Sequence, residues 1–403
     1  MTCAAAVAAF VPLVALAGCT GGSPGATGTP SATSLSPSAT RPSPAASPHT
    51  SDSPDSPYSA CVAQVYNRLS MAQRVGQLFL VGVTGDIAGP VTTAAVNTYH
   101  FGSLLMTPTS EGVTALAAAT AHMQSLAGAN GGVRFFIAAN QEGGAVQQLT
   151  GPGFATMPAA VVQGTWTTSA LRAAAEGWGG ELHAAGVNFD LAPVMDVVPA
   201  ATAASNAPIG ALNREFGSTP AGNGAHGAAF IAGMASAGVD TAAKHFPGLG
   251  RVTGNTDFTA DVVDTVTTAN DPYLGSFRAA VAAGVPFVMV ALATYTQIDK
   301  SQLAVFSPTI MKLVRSGLGF GGVIMSDDLG DASAVQSIPA GTRAMSFLSA
   351  GGDMITSQSL PPALTMAAAV LAKASSSPSF RAVVDAAAQR VLAAKQAAGL
   401  LSC

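Results

Sequence analysis

At 403 residues the chain is long enough for two domains or for one large α/β barrel. It carries 17 Lys and Arg against 21 Asp and Glu, a net charge of −4, and only 9% of its residues are charged. No basic run occurs anywhere, which excludes nucleic acid as the main partner because phosphate binding needs clustered cations.

The chain opens on an apolar run over residues 4–17, too short for a comfortable membrane span, that ends in Leu16-Ala17-Gly18-Cys19. That tetrapeptide resembles the bacterial lipoprotein cleavage signal, in which the Cys becomes the lipidated first residue. Residues 1–18 are therefore expected to be a signal peptide, with the protein exported and held at the outer face of the cell membrane by lipid on Cys19. An ordinary secretory signal is the alternative. No Lys or Arg precedes the run, so a start further upstream is a further expectation. Residues 19–57 are Ser, Thr, Pro, Gly and Ala with almost nothing to bury, and are expected to form a disordered tether. The folded domain then covers 58–403. An exported domain can pair its cysteines, and domain termini often lie close together, so a Cys61–Cys403 disulfide is expected.

Within that domain Ser70 reads as the N-cap of a helix. Uniformly apolar runs follow at 78–83, 102–106, 135–140, 187–193, 241–246, 286–291, 323–327 and 353–357. Runs that do not alternate suit parallel strands buried on both faces. Ala-rich stretches at 113–127, 169–184, 222–237 and 274–283 supply crossover helices. Eight such units predict a single (β/α)8 TIM-type barrel. A doubly wound sheet is disfavoured, since no Gly-x-Gly-x-x-Gly follows the first strand.

Chemistry in such barrels sits at the C-terminal strand ends. Those ends offer Asn140-Gln141-Glu142, Asp190 and Asp196, Lys244 and His245, Thr294 and Tyr295, and Ser326-Asp327-Asp328. Paired carboxylates facing a sugar-sized cleft are the minimum for glycoside hydrolysis. Asp327 is the nucleophile candidate, with Ser326 and Gly330 leaving room for substrate. An Asp at a strand–helix junction is also a common cap. The doublet divides that work, Asp328 capping and Asp327 facing the pocket. Lys244 is read as a ligand for sugar hydroxyls, as a Schiff-base amine or as half of an ion pair. His245 is a weak metal ligand because other imidazoles do not cluster with it. Neither metal nor cofactor is expected.

Five segments carry a resemblance. Lys244-His245-Phe246-Pro247-Gly248, Asn140-Gln141-Glu142-Gly143-Gly144, 189–196, Arg214-Glu215-Phe216-Gly217 and 323–329 resemble motifs of glycoside hydrolase family 3, in order. The most similar branch is the single-domain bacterial β-N-acetylhexosaminidases of peptidoglycan turnover. The resemblance implies a retaining mechanism with Asp327 as nucleophile, a carbohydrate substrate, and Arg214, Lys244 and His245 holding the sugar. It also implies an acid from within the barrel, which in that branch is a His in an Asp-Ser-His triplet after the fifth strand. Here the triplet reads Asn255-Thr256-Asp257, so Asp257 is the candidate acid/base. The family's Asp-Gln-Glu-Gly-Gly-Arg-Val-x-Arg has become 140–148, in which Asn140 and Gln148 bind hydroxyls without charge assistance. Arg251 is a candidate for one lost cation. Three outcomes stay open: Asp257 acts as acid, the leaving group needs little protonation or is transferred, or the domain only binds glycan.

Overall fold

The computed structural model describes residues 58–83 and 87–403. The expected signal peptide, Cys19 and the tether lie outside the described residues. The eight apolar runs form eight parallel strands: β1 Phe79–Val83, β2 Ser103–Met106, β3 Phe136–Ala139, β4 Phe189–Asp190, β5 Asp240–Phe246, β6 Phe287–Val290, β7 Val323–Asp328 and β8 Met354–Ser357. Each pairs with its neighbours in sequence and β8 closes on β1, giving a sealed barrel. Closure leaves no sheet edge.

The fourth strand is the shortest, two residues where seven were expected. Pro193 has no N–H to give a ladder. Asn188 answers β3 with its side chain, the Ile137 amide donating to Asn188 Oδ1 at 2.8 Å. Beyond it the Ala242 and Lys244 amides donate to the Ala192 and Pro193 carbonyls, and the Met195 amide donates back to the Lys244 carbonyl.

The expected crossover helices are present at Val113–Ser125, Thr168–Ala184, Pro220–Ser236 and Gly275–Ala282. Ser70 caps Met71–Gln77 in a reciprocal capping box with Gln73. None of the described helices is long and apolar enough to cross a membrane.

The two barrel ends differ chemically. At the N-terminal end Phe136, Phe189 and Phe287, the first residues of β3, β4 and β6, stack with centroids 4.2–5.6 Å apart. Beneath them Lys395 is fully buried, donating to Gln77 Oε1 and the Gly102 carbonyl at 2.7 Å and the Arg134 carbonyl at 2.9 Å. That end is a filled core, so solvent and ligand enter only from the other. A Cys61–Cys403 disulfide, Cα atoms 5.7 Å apart, ties the first helix to the chain's last residue.

The disulfide links positions 342 residues apart, and cross-linking so long a loop restricts the unfolded chain strongly. Replacing both cysteines by Ser is expected to lower the free energy of unfolding by about 2–5 kcal/mol in urea denaturation. An unchanged midpoint would show that the bridge adds nothing to the closed barrel.

Candidate active site

At the C-terminal end the strands open into a cavity of about 270 Å³. It falls just below the usual range for ligand sites, roughly 300–1,000 Å³, and suits one sugar ring. Asn140, Gln148, Arg214, Lys244, His245, Asp257 and Asp327 all line it. These seven expected site residues are thus brought to a single hollow.

The cavity wall is assembled around Glu142, a residue the sequence reading did not single out. After β3 the chain turns back in a tight hairpin, with Gln141–Gly143 pairing Val146–Gln147. Gly143 sits at φ 96°, and a Cβ there would meet the Pro158 carbonyl oxygen at 2.3 Å. The hairpin aims the buried Glu142 carboxylate at two cations. Arg214 holds it through Nε and Nη2 at 2.8 and 2.7 Å, and Lys244 Nζ lies 2.5 Å away. Burial alone would raise the Glu142 carboxyl, but the two cations overcome it and bring it down to about 2. Lys244 also donates to Asn140 Oδ1 at 2.8 Å, while the Asn140 amide donates to Gln148 Oε1 at 3.0 Å. Lys244 is therefore both an ion-pair member and a cavity wall. A Schiff-base role would require its Nζ to leave both Glu142 and Asn140.

Asp190 does not reach the cavity. It lies fully buried beneath the hairpin, accepting from the Gln141 amide at 2.9 Å, and burial raises its carboxyl well above the ordinary range. Asp196 is also buried and orients His245. Its Oδ2 meets His245 Nδ1 at 2.7 Å, while Oδ1 accepts from the His245 and Leu249 amides. That bond fixes which ring nitrogen faces inward. The Lys244-His245, Ala192-Pro193 and Phe246-Pro247 peptides are all cis.

Of the Asp doublet on β7, Asp327 reaches the cavity as expected, but Asp328 caps no helix: it closes the turn after the strand and also lines the cavity. Asp328 is buried and accepts from the Gly330, Asp331 and Gln358 amides at 2.8, 3.0 and 2.9 Å. Asp327 is half-buried at the cavity and takes only the Asp328 amide, at 2.8 Å. The room for substrate expected at Ser326 and Gly330 is absent. Ser326 Oγ accepts the Thr356 amide, and a Cβ on Gly330 would meet Ser357 Oγ at 2.3 Å. Both serve the packing that holds the doublet.

Asp257 enters from the loop after β5. The Asn255 side chain accepts the Asp257 amide at 3.0 Å, and the Asp257 and Thr256 carbonyls accept from Ser333 and Ala334 at 3.1 Å. The loop is thereby closed onto the segment that follows β7. Burial raises the Asp257 carboxyl, the Asp327 charge raises it further, and His245, Arg214 and Lys244 offset part of this.

Two rim expectations fail. Arg251 is not a replacement cation: Asp271 takes its guanidinium at 2.6 and 2.9 Å and Tyr273 lies beneath it at 3.7 Å, away from the cavity. Thr294 and Tyr295 pair with Val263 and Asp264 in a small ribbon, and the buried Tyr295 hydroxyl donates to the Gly248 carbonyl. They brace the loop rather than meet ligand. Among the described residues no group of three or more His, Cys, Asp or Glu is arranged to hold a metal ion.

A closed (β/α)8 barrel with two carboxylates and a hydroxyl-binding wall in one polar hollow is the architecture of a glycoside-cleaving enzyme. Residues 70–394 match the model of the glycosyl hydrolase family 3 N terminal domain, and the chain belongs to that family. A β-hexosaminidase of Methylococcus capsulatus is 34% identical over 252 residues, 60% of this chain and 72% of its own. Beta-hexosaminidase LpqI of Mycobacterium tuberculosis is 28% identical over 306 residues, 73% of this chain and 76% of its own. The crystal structure of a β-N-acetylhexosaminidase from Beutenbergia cavernae superposes with a TM-score of 0.79 at 47% identity, covering 81% of this chain and 99% of that one.

Removing the Glu142 charge leaves two buried cations without their anion. Glu142→Gln is expected to cost about 3–5 kcal/mol in urea denaturation. The wild-type clamp contributes stability above the unfolded carboxyl range of about 4.3, lost as pH falls through the folded value of about 2. The variant should lack that acid limb. An unaltered limb in Glu142→Gln would remove the clamp from the account of stability.

Proposed function

We propose that the chain is a retaining, exo-acting β-N-acetylhexosaminidase in which Asp327 is the nucleophile and Asp257 the acid/base. The observation that carries this reading is the convergence of the two carboxyls on one cavity, with burial and the Asp327 charge both raising the Asp257 carboxyl. The names of the relatives in Methylococcus capsulatus, Mycobacterium tuberculosis and Beutenbergia cavernae favour the same sugar.

In the first step an Asp327 oxygen bonds to the anomeric carbon as the bond to the leaving oxygen breaks. The Asp257 proton passes to that oxygen. In the second step Asp257, now a carboxylate, takes a proton from water as the water oxygen attacks the anomeric carbon and frees Asp327. Arg214, Lys244, Asn140 and Gln148 hold ring hydroxyls, and His245, oriented by Asp196, offers its other nitrogen. The substrate class is a terminal β-linked N-acetylhexosamine on cell-wall fragments. The Leu16-Ala17-Gly18-Cys19 motif supports an exported protein anchored by lipid on Cys19.

A 2-acetamido-2-deoxy-5-fluoro glycosyl fluoride should label Asp327, read by peptide mass spectrometry, and Asp327→Asn should abolish turnover of an aryl β-N-acetylglucosaminide. Absence of label, together with retained binding of muropeptides, would leave a glycan-binding domain instead.

Activity needs Asp257 protonated and Asp327 ionised, so rate is lost as pH rises through the raised Asp257 value. Asp257→Asn should remove that alkaline limb and slow poor leaving groups by about 10²–10⁴-fold while activated aryl glycosides lose far less. Equal losses on both kinds of leaving group would disprove the acid role.

A further inference from the structure

Phe258 follows the proposed acid directly and lines the same cavity, yet it is 81% exposed, more than any other exposed large apolar residue among those described. Its position is not slack. The Phe258 and Thr259 amides both donate to the Asn255 carbonyl, at 3.0 and 2.8 Å. Thr256, two residues before, is 2% exposed and tied to Ala334. A fixed turn therefore holds an aromatic ring out in water at the mouth of a polar hollow. Leu212, 37% exposed at the end of the short turn Gly210–Leu212, lines the cavity as well. The cavity thus has a floor of charge and amide groups and a lip that includes apolar surface. A scattered exposed apolar side chain needs no explanation, but apolar side chains at the rim of a ligand site mark contact area.

A pyranose has hydroxyls around its edge and C–H groups on its faces, and an aromatic ring meets such a face well. The floor takes the edges of the ring being cleaved. The leaving part departs on the side of the acid, which is where Phe258 stands. We propose that Phe258, with Leu212, is the specificity-determining platform for the leaving group, selecting leaving groups that are rings with an apolar face over small acyclic ones. The inference rests on the hydrolase reading for its assignment of sides, and its natural occupant is a second sugar ring of a glycan.

Equilibrium binding separates the two ideas, because it needs no turnover. Asp327→Asn should bind a β-1,4-linked N-acetylglucosamine disaccharide more tightly than N-acetylglucosamine. Adding Phe258→Ala should cost about tenfold in affinity for the disaccharide, the scale of one good aromatic contact, and nothing for the monosaccharide. Phe258→Trp should keep the disaccharide affinity. In the active enzyme, Phe258→Ala should raise KM for the disaccharide and for a phenyl glycoside while leaving the methyl glycoside unchanged. A loss confined to the phenyl glycoside would overturn the sugar-ring assignment. Equal effects on disaccharide and monosaccharide, or none on either, would overturn the platform, whereas failure of Asp327 labelling alone would overturn only the hydrolase.

Discussion

The site depends on a single buried carboxylate holding two cations. Glu142 is enclosed by Arg214 and Lys244 at 2.5–2.8 Å, in a part of the barrel where neither cation could stay without it. A buried ion pair is poor evidence for stability gained, since desolvation opposes attraction. Its value here is positional. The clamp spends one face of each cation on Glu142, so both side chains are fixed before any ligand arrives. A long Lys or Arg that must be ordered by its ligand would subtract that ordering from the affinity.

The same logic extends outward. Asp196 fixes His245, Asp328 is saturated by three amides, and Asp190 anchors the hairpin from below. The three cationic or imidazole side chains at the cavity, Arg214, Lys244 and His245, each have a buried carboxylate behind them. Asp327 and Asp257 stand apart in this respect. Asp327 takes one neighbouring amide and Asp257 takes no side-chain hydrogen bond from a cation among those described. The groups required to change charge are the ones that the scaffold leaves least committed.

Much of this was legible in the sequence because it follows from pattern. Non-alternating apolar runs gave eight strands, and the end of the seventh placed Asp327 at the cavity. What could not be read was which distant groups would meet. Arg251 looked like a free cation because Asp271 lies twenty residues on, across a turn with no periodic signal. Glu142 sat inside a quoted motif yet carried no visible role, since its partners are 72 and about a hundred residues away in sequence. Phe258 gave no signal either: an aromatic in a loop reads as core until its exposure is known. The fourth strand was overdrawn because Pro193 breaks the amide ladder while the apolar run continues.

An Asp in place of a His alters the proton chemistry less than the difference in residue suggests. A neighbouring anion raises the proton affinity of both, holding a proton on a carboxyl by repulsion of the charged form and on an imidazole by attraction. When Asp327 becomes an ester its charge vanishes, and either residue then gives up its proton more readily, which is what the second step needs from a base. Burial acts on them oppositely, raising an Asp and lowering a His. An Asp therefore gains as an acid from a closed, desolvated loop, where a His would lose. Two backbone hydrogen bonds from Ser333 and Ala334 supply that closure, and they bring the shorter side chain to the cavity wall. The sequence change and the pinned loop make physical sense together: an open loop would return Asp257 to water and remove the burial that raises its carboxyl.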